Sequence, residues 1–303
     1  MSLNTLDYLF GPSGWLYWPG VVAAMAVALT AGLLSPLVVH RKLSFVGQGV
    51  SHAGFAGLGL VLLVTWLSGG AMHGPGLTAV VLLVTSLAAG ALMARLSQHT
   101  TRGSRQAGGG DTAIGVVMVA GMAIGFVLTR LAAEPVTRLT GQRPPDLESV
   151  LFGSVVAVSW LDAWVTVVVC TLVATVTWWY RRRIVLWAVD EEGARALGVR
   201  TSHVQLLVML LLSVVVVLAV RVAGVVLAAA VLVLPGAAAV RLSHRYAAVV
   251  ITSVALSAIA VIVGGVSAFE LDLPPGPMIV LAGVLVWMLA CIQPRLVKQQ
   301  VAS

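Results

Sequence analysis

Residues 202–242 read SHVQLLVMLLLSVVVVLAVRVAGVVLAAAVLVLPGAAAVRL, and their only fixed charges are Arg221 and Arg241. A bilayer core about 30 Å thick is crossed by about 20 apolar residues in a helix. The stretch is therefore long enough for two spans, 202–221 and 223–242, divided by the turn Arg221-Val222-Ala223-Gly224. A single span followed by a broken or re-entrant helix fits the same letters. Pro235 interrupts the second half, where it removes one helical hydrogen bond and kinks or breaks the helix. Such breaks are tolerated in a membrane where they face protein or a water-filled cavity, so Pro235 reads either as part of a gate or as bundle packing.

Working outward, seven further apolar stretches stand between polar punctuation: 16–39, 50–69, 76–97, 111–133, 159–180, 246–266 and 276–292. The predicted fold is all-α, a polytopic transmembrane bundle of about nine spans, or eight plus a broken helix. The whole composition agrees. Of 303 residues, 59% are hydrophobic and 10% charged, against about 25% charged in soluble domains. Cys170 and Cys291 both lie in apolar runs and imply no disulfide framework. Residues 1–15 carry Asp7 and no Lys or Arg. They are expected to form an extracytoplasmic, interfacial segment rather than a cleavable signal. Span domain 16–292 is then followed by a cytoplasmic tail, 293–303.

The net charge of +7 is explained by topology. With the N-terminus outside, fourteen of the eighteen Lys and Arg fall on inner loops, leaving Arg130, Arg138, Arg143 and Arg221 outside. That bias follows the positive-inside rule. It points to anionic lipid at the cytoplasmic face and not to nucleic acid. Gly121-Met-Ala-Ile-Gly125 is a small-xxx-small pattern, suited to close helix packing. Residues 99–111, HTTRGSRQAGGGD, read as a flexible inner loop.

No phosphate loop, GxSxG elbow or HExxH pair occurs, so the chain carries no ATPase or hydrolase motif and is not read as an enzyme. Chemistry concentrates instead in Ser44–Gly57, SFVGQGVSHAGFAG, a glycine-rich approach to a span with His52 inside it. Gln48 and His52 are four apart and share a face if the helix has begun by Gln48. An ionisable group within a span is a functional candidate by default, and imidazole is the commonest metal ligand. The plain alternative is a histidine bonded to a neighbouring helix.

The second candidate is the inner loop Asp190-Glu-Glu-Gly-Ala-Arg-Ala-Leu-Gly-Val-Arg200. Asp190 can cap a short helix, Glu191 and Glu192 suit its first turn, and Gly198 can stop it after Ala196 and Leu197. Such a helix can be gripped by a partner, or it is a solvated connector. Asp162, Glu270 and Asp272 sit near the outer face, where they can attract cations or meet a binding protein, or serve as ordinary loop charges. Met72 and His73 form a possible ligand pair on an outer loop.

Six blocks in order carry a family resemblance. VVHRKLSFVGQGVSHAGFAGLGL (38–60), DTAIGV (111–116), LESVLFGSVVAVSWLDA (147–163), DEEGARALGVRTSHVQLLVMLLLS (190–213), AGVVLAAAVLVLPGAAAVRLSHR (223–245) and DLPPGPMIVL (272–281) resemble the zinc/manganese ABC-transporter permeases. These form the metal branch of the type II importers. The resemblance implies a type II permease fold in a bacterial inner membrane and a homodimer. It implies ATP hydrolysis on a cytoplasmic ATPase partner, docked near 190–198, and delivery by an extracytoplasmic solute-binding protein. Zn or Mn would be carried as cargo, with no permanently bound cofactor. It places His52 on the cation path. The chain departs from the family at Gln48, where an acidic residue is usual, and an amide oxygen is the weaker ligand for such ions. That departure keeps a siderophore or cobalamin permease in view. An ion-coupled secondary carrier is the rival from another class, and it would want several buried carboxylates that the spans lack.

Overall fold

A computed structural model describes residues 11, 14–71, 74–103, 109–141 and 158–292. Met72 and His73, residues 1–10 of the expected interfacial segment, 147–157 of the third block and the tail 293–303 lie outside them.

Every secondary-structure element among the described residues is a helix. In chain order the helices are α1 (Gly14–His40), α2 (Val46–Leu67), α3 (Pro75–Gly103), α4 (Gly109–Thr140), α5 (Trp160–Val189), α6 (Glu191–Ala196), α7 (Thr201–Leu242), α8 (Tyr246–Leu271) and α9 (Pro275–Ile292). Eight of them are long and apolar enough to cross a membrane, and Leu227–Leu242 is a further, shorter apolar helix. Eight spans plus a broken helix is thus the arrangement found. No open loop separates the two halves of 202–242. At about 1.5 Å per residue, the 42 residues of α7 would reach about 63 Å if straight, twice a bilayer core. Gly224 breaks the run with φ +84°, a left-handed backbone that glycine adopts without steric cost.

Two other expectations need adjusting. The supposed flexible loop 99–111 is helical at both ends, since α3 runs to Gly103 and α4 starts at Gly109. Likewise α5 continues past 180 through Arg181, Arg182 and Arg183 to Val189, with Ile184 and Trp187 buried beyond the arginines. Polar residues at a span's end extend the helix here; they do not terminate it.

The chain forms two compact units, one from residues 1–44, 152–179 and 222–303, the other from 45–151 and 180–221. In the first, α1 packs on α8, and α8 on α9. Buried serines tie this unit together. Pro36 has no N–H, so the carbonyl four residues earlier, on Gly32, loses its helical partner. Ser253 Oγ of α8 donates to that oxygen at 2.7 Å, and Ser257 Oγ donates to the Ala28 carbonyl at 2.7 Å. In the second unit, α2 packs most extensively on α4 and next on α3. The helix ends use local stops. Gly69 (φ +61°) ends α2, and Lys42 takes the same left-handed turn after α1 at φ +55°.

Candidate metal site and coupling helix

His52 lies nearly two turns inside α2, which has begun by Val46, so Gln48 and His52 do share a face. The contact between them is not side chain to side chain. Nδ1 of His52 stands 2.8 Å from the backbone carbonyl of Gln48. A carbonyl only accepts, so Nδ1 carries a proton, and in the neutral ring Nε2 is the nitrogen with the lone pair. That is the tautomer a metal-binding imidazole needs, with its second nitrogen fixed by a carbonyl. The same carbonyl accepts from Ser51 Oγ at 2.9 Å. Gln48 and His52 are half-buried, and Ser51 is buried. Because the anchor is backbone, it survives any side chain at position 48, and the Gln48 amide is left to act on its own account.

Among the described residues, no three His, Cys, Asp or Glu side chains come together as a metal cage. His52 therefore offers one imidazole nitrogen with no cluster of such ligands beside it among the described residues. Such a thin donor set suits an ion in passage. Of the carboxylates at span ends, Asp162 has a local task. It accepts from Ser159 Oγ at 2.7 Å while its own N–H donates back to that oxygen at 3.2 Å, a reciprocal cap at the start of α5. Asp272 occupies the left-handed stop of α8 at φ +52°.

The 190–198 segment has the local structure its sequence dictates. Asp190 is extended and caps α6, its Oδ1 accepting from the Gly193 N–H at 2.9 Å. A Cβ on Gly193 would collide with that carboxylate. Gly198 turns left-handed at φ +78°, and Val199 N–H closes the helix onto the Ala194 carbonyl at 2.9 Å. Glu191 lies in the first turn, and Glu192 beside it is exposed. Ala196 is exposed too, and Leu197 is 73% exposed, an apolar side chain presented outward, while Ala194 is buried. Sequence reasoning missed Arg195. It pairs with Glu191 one turn back, and its Nε donates to Thr201 Oγ1 at 3.0 Å. This one side chain ties α6 to the first residue of α7. The i, i+4 spacing of Glu191 and Arg195 was a visible signal; the reach to Thr201 was not.

Pro235 sits inside α7 and lines a shallow cleft with Val231, Leu234, Ser257, Ala260 and Ile279 among its neighbours. The carbonyl it frees is that of Val231, which borders the cleft. The next N–H, of Gly236, donates to Ser35 Oγ at 2.8 Å. A methyl on Gly236 would stand 2.5 Å from the Ser35 carbonyl carbon. So α7 beside Pro235 is tied to α1 beside Pro36 by the serine that precedes it.

Known proteins share this sequence and architecture. The profile of the ABC 3 transport family matches residues 16–293. A Thermotoga maritima protein named "Probable metal transport system membrane protein" is 33% identical over 260 residues, covering 86% of this chain and 83% of its own. "Manganese transport system membrane protein MntC" of Halalkalibacterium halodurans is 30% identical, covering 89% and 84%. "Chelated iron transport system membrane protein YfeD" of Yersinia pestis is 24% identical, covering 90% and 83%. The structure of PsaBC from Streptococcus pneumoniae in complex with Fab superposes with TM-score 0.78 at 23% identity, over 100% of both chains. A match across nearly every span, with the same helical fold, leaves one conclusion: the chain belongs to the ABC 3 transport family, whose members are membrane permease subunits with ATPase activity on a separate subunit.

Proposed function

We propose that this chain is the permease of an ATP-driven importer for divalent transition-metal ions, and that His52 lines the path the ion takes. The observation carrying this reading is the Nδ1 anchor of His52 to the Gln48 carbonyl at 2.8 Å, which leaves Nε2 available as a ligand within a span. The names of the relatives support a metal cargo, manganese in one and chelated iron in another. Donor chemistry adds its own preference. Imidazole nitrogen without a carboxylate favours zinc over manganese, which prefers oxygen donors. Two copies would form the path in a bacterial inner membrane, N-terminus outside. Each would dock a cytoplasmic ATPase on α6 through Ala196 and Leu197, and a binding protein would deliver the ion from outside. Arg195 would pass the motion of α6 into α7, while Pro235 would set the course of the second half of α7 beside the gate.

The test is uptake of radiolabelled Zn²⁺ and Mn²⁺ into liposomes holding the permease and its ATPase, with binding protein outside and ATP inside. ATP-dependent uptake that His52→Ala reduces at least tenfold is expected. Equal uptake by a folded His52→Ala complex overturns the role of His52. Failure of a complex that hydrolyses ATP to carry either ion shifts the cargo to a chelated metal.

A further inference from the structure

His52 makes its one hydrogen bond, among the described residues, to its own helix. The ring therefore moves with the α2 backbone, and its position in the protein is set by whatever holds that backbone. Two helices do. On one side α3 runs antiparallel, with Met93 against Gly49, Ser86 near Gly54, and Leu82 and Thr85 against Gly57. On the other side α4 runs parallel to α2. Ile114 meets Gly49, Gly121 meets His52 and Ala53, Gly125 meets Phe55 and Ala56, and Leu128 and Thr129 meet Gly59.

The contacts at Gly121 and Gly125 differ in kind from the rest. A methyl built on Gly121 would stand 3.0 Å from Ala53 Cα, 3.1 Å from Ala53 N and 3.2 Å from the His52 carbonyl carbon. On Gly125 it would stand 2.8 Å from both Ala56 N and the Phe55 carbonyl carbon. These are backbone atoms of a helix, and they cannot rotate aside. Gly59 completes the seam from α2, where a methyl would lie 3.0 Å from the Gly125 carbonyl oxygen. Gly115, on the same helix α4, has nothing within 4 Å of such a methyl. The small residues of α4 are therefore not interchangeable: Gly121 lies against the peptide unit of His52 itself.

We infer that Gly121 and Gly125 are positioning residues for the cation step, holding the His52 imidazole at the depth and rotation at which Nε2 meets the ion. The inference rests on the reading of His52 as a ligand. Outer partners of metal ligands typically govern affinity by about 10–100-fold, and ligand geometry tolerates displacements of only about 0.5 Å. Gly121→Ala must move the α2 backbone or α4 by part of that distance.

The experiment is equilibrium binding of radiolabelled Zn²⁺ and Mn²⁺ to the purified permease–ATPase complex, without binding protein. Wild type, Gly115→Ala, Gly121→Ala and His52→Ala are compared. Gly121→Ala is expected to weaken binding about tenfold and to change the Zn²⁺ to Mn²⁺ preference, with the number of ions bound unchanged. Gly115→Ala should match wild type within about twofold. A merely structural defect would lower the number of ions bound and leave the affinity of the folded fraction alone. If Gly121→Ala does not assemble, Ala53→Gly loosens the same contact without a clash and should also weaken binding. Affinities within twofold of Gly115→Ala, in whichever of these two variants assembles, overturn the positioning role while a loss in His52→Ala keeps the ligand reading. Wild-type affinity in His52→Ala, or no binding by the wild type, overturns the ligand reading itself.

Discussion

At the scale of single residues, the chemistry turns on what stands at position 48. The Gln48 carbonyl fixes the His52 tautomer, so a substitution there changes the charge offered to an ion without disturbing the imidazole. Gln48→Asp puts a hard oxygen anion one helical turn from Nε2. It is expected to tighten Mn²⁺ binding about tenfold, about 1.4 kcal/mol, and to help Zn²⁺ less, because oxygen donors suit manganese better. Binding measured as above checks it; an unchanged Mn²⁺ affinity would show that side chain 48 faces away from the ion. His52 itself was legible from the sequence as the ionisable group in a span. Its bonding partner was not, since a backbone carbonyl has no letter of its own. Arg195 escaped for a related reason: half of its role lies across the α6–α7 turn, at Thr201.

At the scale of elements, helices with apolar runs were plain, and so was the short α6, because capping is a local affair of three or four residues. What could not be read was which helix kinks are locked. Pro36 and Pro235 each announce a break, yet nothing in the letters says that Ser35 accepts from the Gly236 N–H or that Ser253 donates to the Gly32 carbonyl. In the low-dielectric interior each such group left alone costs about 1–3 kcal/mol. Ser35→Ala is accordingly expected to destabilise the protein by about that amount and to lower its melting temperature in detergent. Ser35→Thr, which keeps the hydroxyl, should lose less. Identical melting of the Ala variant and the wild type would show that the kink is satisfied in another way.

At the scale of the whole molecule, the count of spans was the point the sequence left open, and the structure answers it with eight long apolar helices and the shorter Leu227–Leu242. That last run follows the left-handed Gly224 and keeps its own apolar character, in agreement with a count of about nine. The proposed orientation rests on the arginine and lysine bias of the loops. A single cysteine at Glu192, in a chain whose Cys170 and Cys291 have been replaced, should react with a membrane-impermeant maleimide in inside-out vesicles and not in intact cells. The reverse pattern would invert the whole topology and put α6 out of reach of any cytoplasmic ATPase.

The serine ties of α1 also set an order of events during synthesis. Their partners lie 201, 221 and 229 residues further along the chain. At about 5–20 residues per second, the ribosome needs roughly 10–40 s to make up that distance. The first described helix to be made thus waits for its partners while the unit completed at residue 221 is free to assemble. Throughout that wait the carbonyl of Gly32 and the hydroxyl of Ser35 lie in lipid without their final companions. A chain that stops before Tyr246 leaves the Gly32 carbonyl in that state for good, an exposed mark by which an unfinished copy differs from a finished one.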